Sequence, residues 1–200
     1  MSQKFAAVKG MNDLLPGSIE LWQRLETVAR EVFGTYGFSE IRTPAVEDTA
    51  LFVRSVGEGT DIVGKEMYTF EDKGGRSITL RPEGTAPAAR AYIEHGFTNT
   101  EPLTRWFYMG PMFRYERMKT GRYRQFYQLG AEAYGSLDAA QDVEVIALCA
   151  EFFRASPCCS PRSRRARRAC SRPSPRPPHL PKPTTASTST SRRRRCSTAS

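Results

Sequence analysis

The sequence predicts an α+β domain in which helices flank an antiparallel sheet, followed by a tail of another composition. Three observations carry this. Apolar residues recur at helical spacing in two long stretches, 19–36 and 138–155. Between them, strand-like runs come in pairs about polar, glycine-containing apices, without the regular strand–helix alternation of a parallel sheet. From Ser156 onward the chain holds ten Ser, eight Pro, five Thr and twelve cations, but one Leu and no Ile, Val, Met or aromatic residue.

The elements follow in order. In the first stretch Leu21, Trp22, Leu25, Val28, Ala29, Val32, Phe33 and Tyr36 define one helical face, with Pro16–Gly17–Ser18 as its start and Gly37 as its stop. SEIRTPAVED then reads as extended, with Pro44 suited to an edge or a bulge. Helix is expected from Thr49 to Val56, ahead of the glycine-marked loop GEGTDIVG. MYTFED and SITLRP flank Lys73–Gly74–Gly75 as a hairpin, and Gly84 to His95 favours helix, its start limited by Pro87. RWFYMGPMFRYER and RYRQFYQLGAEAYG form a second pair of strands about a polar apex. DAAQDVEVIALCAEFFRA is expected to be a strongly amphipathic helix with Asp138 as its N-cap.

Charge separates the two parts of the chain. The net charge is +9, from 30 Lys and Arg against 21 Asp and Glu, and residues 156–200 hold 12 of those cations and no acid. Residues 1–155 therefore carry 18 cations against 21 acids, about −3, so the body is not a generally basic nucleic-acid binder. A chain segment with the tail's composition cannot bury enough apolar surface to offset its entropy, and disorder is expected. Its abrupt change of composition fits GC-rich coding DNA read out of frame. An Arg/Ser-type nucleic-acid-binding tail and a plain solvated arm are the other two readings. Cys149 is expected to be a buried reduced thiol, and Cys158, Cys159, Cys170 and Cys196 show neither zinc-site nor disulfide-framework spacing. With no signal-like apolar segment in MSQKFAAVKGMNDLLP and no long apolar run elsewhere, a soluble, cytoplasmic protein away from membranes is expected, with no metal site.

Two clusters carry candidate chemistry. FRYERMKTGRYRQFYQ sets Arg114, Arg117, Lys119, Arg122 and Arg124 around the single acid Glu116. Strand alternation would turn Arg114 and Glu116 to one face and place Gln128, Gly130 and Glu132 together on the returning strand. A guanidinium fork suits a phosphate and a nearby carboxylate suits an exocyclic amine, so the pair can hold a nucleotide; a solvated hairpin with ordinary ion pairs is the competing reading. In LRPEGT, Gly84 permits close approach of a ligand, while Glu83 and Thr85 can hold an ammonium group. A strand-to-helix turn also uses those residue types.

KGMNDLLP, TDIVGKEMYTFED, TLRPEGT, MGPMFRYER and GRYRQFYQLGAE, in this order, resemble the histidyl-tRNA synthetases, a family of class II aminoacyl-tRNA synthetases, over residues 4–155. The resemblance implies a six-stranded antiparallel sheet, a homodimer with the first helix and the Pro44 strand at its interface, and partners histidine, ATP with Mg2+ as its substrate complex, and tRNA(His). By the same resemblance Arg114 binds the α-phosphate and is the catalytic arginine, Glu116 reads adenine, and Arg122 holds the ATP phosphates. Glu83 and Thr85, beside Gly84, hold the histidine α-amino group with Gln128, and Glu132 recognises the imidazole. The family's later arginine motif, resembling RGLDYYT, its glycine-rich AGGRYD-like segment, its motif 3 arginine and its anticodon-binding domain do not occur in residues 156–200. The 200-residue chain is therefore expected to be an incomplete catalytic domain, inactive alone and poorly soluble. The regulatory subunit of ATP phosphoribosyltransferase is a related alternative, against which Glu83 and the intact GRYRQF loop argue; an RNA-binding protein acting through the basic tail is another.

Overall fold

The computed structural model describes residues 5–57, 60 and 65–156. Most of the GEGTDIVG loop, the expected disorder of the tail and its four cysteines lie outside the described residues. Among the described residues, these elements follow in chain order: α1 Ile19–Thr35, β1 Ser39–Glu40, β2 Val46–Asp48, α2 Thr49–Val56, β3 Tyr68–Glu71, β4 Ser77–Leu80, α3 Thr85–Glu94, α4 Phe97–Thr100, β5 Thr104–Phe113, β6 Gln125–Tyr134 and α5 Ala139–Ala155.

Local chemistry sets the boundaries. Ser18 stands at the N-cap of α1 without a side-chain cap; the Glu20 carboxylate instead reaches back to the Gly17 N–H at 2.9 and 3.1 Å. The helix closes where Phe38 N–H donates to Phe33 O at 3.0 Å, tying up an otherwise orphaned carbonyl. Asp48 and Asp138 cap α2 and α5 by accepting from Ala50 N at 2.8 Å and Ala140 N at 2.9 Å. Pro87 lies in the first turn of α3, where its missing N–H costs no helical bond, since that ladder begins with Ala88 N donating to Gly84 O at 3.1 Å.

The described strands form two three-stranded sheets, ordered β1-β5-β6 and β2-β4-β3, and not the single six-stranded antiparallel sheet implied by family resemblance. The β5–β6 hairpin is antiparallel over ten residue pairs, from Thr104↔Tyr134 to Phe113↔Gln125, whereas β1 joins β5 in parallel. SEIRTPAVED is split at Pro44: its first half pairs with β5 and its second with β4. Proline has no N–H for a ladder, and the chain uses that break to pass from one sheet to the other.

The alternation of β5 and β6 makes three layers. Phe107, Met109, Leu129, Ala131 and Ala133 pack with Ala29, Phe33, Phe38 and Leu148, so α1 and α5 cover one face. On the opposite face Tyr108, Met112 and Phe126 meet Ala88 of α3. The expected one-sided amphipathicity of α5 is corrected: Leu148 is buried, but Val143, Ile146 and Phe153 are 64%, 68% and 53% exposed. Cys149 is corrected with it. One residue beyond Leu148, it is rotated about 100° off the core face and is exposed. Among the described residues, no helix is long and apolar enough to cross a membrane.

Candidate functional site

The face of the β5–β6 hairpin that meets α3 carries the polar groups. Register places Glu132 opposite Trp106, Gly130 opposite Tyr108 and Gln128 opposite Gly110. Gln128, Gly130 and Glu132 therefore share one face, as the alternation predicts. The N-terminus of α3 sits beside them: Thr85 Oγ1 donates to Glu132 Oε1 at 2.8 Å. Tyr108 completes the group, with its hydroxyl 3.3 Å from the same Glu132 oxygen and 3.4 Å from Gln128 Nε2.

Tyr108 is the residue that sequence reasoning missed. Its ring is wedged between two chain segments: a Cβ on Gly84 would come within 2.1 Å of it, and one on Gly130 within 2.3 Å. Both glycines are thus required by the space the phenol occupies. Its position in an apolar strand run gave only a packing signal; the β5–β6 register, one residue across from Gly130, was the clue that points to the site.

Electrostatics in this cluster follow burial. Desolvation raises the Glu132 pKa above the ordinary carboxylate value, and the nearby Glu83 charge adds to this, while hydrogen bonds from Thr85 and Tyr108 oppose it. Burial likewise pushes the Tyr108 phenol up to about 12. Glu132 is a carboxylate whose Oε1 is engaged by two hydroxyls and whose Oε2 has no partner among the described residues. Such a group is set to accept from a ligand N–H and gains most when that ligand brings positive charge.

Glu83 is placed beside this group but engaged elsewhere. Its carboxylate accepts from Thr85 N at 2.5 Å and Ala86 N at 2.9 Å, capping the first turn of α3. Negative charge at a helix N-terminus is favourable, which accounts for this geometry without a ligand.

The arginine-rich connection differs from the expected continuous strand. The ladder of β5 ends at Phe113, Tyr115 N–H turns away to Glu66 O at 2.7 Å, and Glu116 N–H bonds Arg114 O at 2.8 Å. The predicted sharing of one strand face by Arg114 and Glu116 is therefore corrected: Arg114 N–H still donates across the hairpin to Arg124 O at 2.9 Å, but the strand does not continue to Glu116. Arg114 Nε donates to Pro82 O at 2.8 Å, and its guanidinium lies 5.2 Å from the centre of the Phe126 ring. No carboxylate pairs with it among the described residues. Glu116 and Arg122 form an ion pair with each other at 3.0 Å, across an apex where Lys119 and Arg122 bridge and Gly121 has φ +80°. Thr85, Gln128 and Glu132 are thus gathered in one network, Arg114 is tied to the same 81–85 segment through Pro82, and Glu116 and Arg122 are paired apart. Among the described residues, no group of His, Cys, Asp and Glu side chains is arranged to hold a metal ion.

Comparison with known proteins gives this geometry a context. The family model described as Histidyl-tRNA synthetase matches residues 10–160. A histidine–tRNA ligase from Anaeromyxobacter sp. (strain K) is 59% identical over 150 residues, which is 75% of this chain and 36% of the relative. One from Halothermothrix orenii is 61% identical over 148 residues, or 74% of this chain and 35% of the relative. The solved apo histidyl-tRNA synthetase of S. aureus matches with TM-score 0.65 and 40% identity, over 76% of this chain and 35% of that one. A structure described as an ATP phosphoribosyltransferase regulatory subunit/histidyl-tRNA synthetase from Bacillus halodurans matches with TM-score 0.66 and 28% identity, over 78% of this chain and 39% of that one. This chain, spanning about a third of the length of the curated relatives it matches, belongs to the histidyl-tRNA synthetase family.

Proposed function

We propose that residues 1–155 form the histidine- and ATP-binding part of a histidine–tRNA ligase, and that residues 156–200 are a separate segment without a part in the chemistry. The observation that carries this is Glu132: a half-buried carboxylate with one oxygen fixed by Thr85 and Tyr108 and the other free, on the sheet face shared with Gln128. In this reading the free oxygen accepts from the imidazole of histidine. Thr85 and Gln128 hold the α-amino group, with Glu83 supplying negative charge nearby while it caps α3. Arg114, whose η nitrogens have no hydrogen-bond partner among the described residues, takes the α-phosphate from the end of β5.

The reaction is the two-step one of the family. A carboxylate oxygen of histidine attacks the α-phosphorus of Mg-ATP, the bond from that phosphorus to the bridging oxygen breaks, and pyrophosphate leaves with the electron pair. The 3′ end of tRNA(His) then takes the histidyl group and AMP departs. No nucleophile from the protein is needed. Positioning and stabilisation of charge at phosphorus supply the rate, with Arg114 fixed by Pro82 and Phe126 as the preorganised cation. The Glu116–Arg122 pair must open for Glu116 to reach adenine and Arg122 the phosphates. Both steps belong to a cytoplasmic homodimer built through α1 and the Pro44 segment.

Titration of the 200-residue chain with histidine and, separately, with Mg-ATP tests this reading. Binding of both is expected, with histidine binding lost in Glu132→Gln. No histidine-dependent exchange of pyrophosphate into ATP is expected, because no RGLDYYT-like arginine motif occurs in this 200-residue sequence. Failure to bind either ligand would overturn the proposal. The likeness to the regulatory-subunit structure favours one second reading, a histidine sensor; binding of histidine with no binding of Mg-ATP is its signature.

A further inference from the structure

We propose that Arg81 is a positioning residue that locks the Pro44 crossing segment to β5 and thereby sets the place of Arg114. The inference rests on the nucleotide-binding reading of Arg114 but is argued from a different set of contacts.

Arg81 follows β4 and is 8% exposed, yet no carboxylate pairs with it among the described residues. Its partners are neutral oxygens. Nε donates to Pro111 O at 3.0 Å, and Nη1 donates to Thr43 O at 2.8 Å, Thr43 Oγ1 at 3.1 Å and, at the long limit, Pro44 O at 3.4 Å. A guanidinium buried among carbonyls pays desolvation without an ion pair, and burial indeed lowers its pKa, with the Glu47 charge opposing. The reason for keeping a cation there lies in what the carbonyls would otherwise lack. The parallel β1–β5 ladder makes its last backbone bond where Ile41 N donates to Phe107 O at 2.8 Å. Beyond it the chain diverges toward the second sheet, and Pro44 has no N–H to offer. The planar fork of Arg81 bridges the gap, supplying donors to both sides at once.

The backbone of the same residue repeats the link. Arg81 N–H donates to Ala45 O at 3.0 Å, and Arg81 O accepts from Phe113 N–H at 3.0 Å. The next carbonyl, that of Pro82, receives Arg114 Nε at 2.8 Å. A short covalent and hydrogen-bonded path therefore runs from Thr43 and Pro44 through Arg81 to the guanidinium of Arg114. Gly110 leaves room for it: a Cβ there would meet Arg81 Nη2 at 2.5 Å.

The test compares the wild-type 200-residue chain with Arg81→Lys, Arg81→Met and Gly110→Ala. Lysine keeps a charge without a planar fork, and Gly110→Ala displaces the fork while leaving Arg81 in place. Two readouts are taken: amide hydrogen exchange at Phe113 and Arg114, and affinity for Mg-ATP against affinity for histidine. Faster exchange at both amides and Mg-ATP affinity weakened about tenfold or more are expected in Arg81→Lys and Gly110→Ala, from the loss of one or two partly buried bonds to a charged donor. Histidine affinity, which depends on Glu132, is expected to change less than about twofold, a difference below the energy of one hydrogen bond. Should Arg81→Met fail to fold, the other two variants still decide the matter. Unchanged exchange and unchanged Mg-ATP affinity in both would overturn the proposal, as would rescue of both by lysine. If the wild type binds no Mg-ATP at all, it is the functional reading of Arg114 that fails, and amide exchange alone then decides the coupling through Arg81.

Discussion

At the scale of single residues, the site is organised around a carboxyl group whose ionised form is disfavoured by burial. Burial raises the folded pKa of Glu132 above its unfolded value near 4.5. Between those two values the native state binds more protons than the unfolded chain, so this group's contribution to stability is present at low pH and is lost as pH rises through the raised pKa. Glu40 and Asp72 carry lowered values, held down by their arginine and backbone partners, and push the opposite way. The useful quantity is therefore the difference between wild type and Glu132→Gln. Urea midpoints should converge toward pH 4.5 and diverge above it, with the glutamine variant the more stable at neutral pH. In the proposed reading, a bound imidazole opposes that effect of burial, because its N–H needs the ionised acceptor. Histidine binding should accordingly strengthen with rising pH over the same window and release a proton, which calorimetry in buffers of different ionisation enthalpy measures. Tyr108→Phe should weaken histidine binding by about 3- to 10-fold, the loss expected of one hydrogen bond that orients an acceptor. The phenyl ring still fills the slot between Gly84 and Gly130, so its melting temperature should hold.

At the scale of elements, α5 shows how helical phase decides the effect of a substitution. Leu148, 1% exposed, belongs to the cluster with Phe33 and Phe107, and Leu148→Ala should cost about 2–5 kcal/mol of unfolding free energy. Ile146, two residues earlier and 68% exposed, should tolerate Ile146→Glu within about 0.5 kcal/mol, and breaking the exposed Val143–Ile146–Phe153 stripe should raise solubility. Chemical denaturation and a solubility assay on the two variants separate these outcomes. The start of α3 has a double dependence. Glu83→Ala removes the acceptor for the Thr85 and Ala86 N–H groups and should destabilise the domain by about 1 kcal/mol, as loss of a helix cap does. It should also weaken histidine binding, since the hydroxyl of Thr85 is aimed by that same first turn.

At the scale of the whole molecule, the sheet ordered β1-β5-β6 leaves β6 without a neighbour on its outer edge among the described residues. Ten residues of unpaired strand backbone are a template for association, so the chain should self-associate with rising concentration, as light scattering would show. Charge acts separately from this edge. Removing residues 156–200 takes twelve cations from a chain of net charge +9 and leaves about −3. Binding to RNA of any sequence should fall steeply with salt in the full chain and vanish in the shortened one, while the melting transition of the folded body stays where it was. Sequence-selective RNA binding by the tail would count against this reading.

Much of the fold was legible beforehand, and so was part of the site. The periods of 3.6 and 2 placed α1, α2, the two hairpins and α5, because each is a local pattern of apolar residues and turn chemistry. The same period of 2 put Gln128, Gly130 and Glu132 on one face, and family resemblance named Arg114, Glu83 and Thr85 before any distance was known. The strand alternation failed beyond Arg114, where Tyr115 is drawn to Glu66 by a backbone bond between segments far apart in sequence. The exposure of Cys149 followed from helix phase against α1, and the occupation of Glu83 by its own helix from a backbone geometry that composition does not display. Tyr108 and Arg81 were hidden for a common reason. Each acts through partners more than twenty residues away in the chain, Glu132 for one and Thr43 and Pro111 for the other. The sequence alone determined the family, the elements and the side chains available for chemistry, since these depend on local pattern and residue type. Only the tertiary structure decided which oxygen of Glu132 is free, which carbonyls hold Arg81 and where Arg114 is aimed, because hydrogen-bond partners are chosen by distance in space.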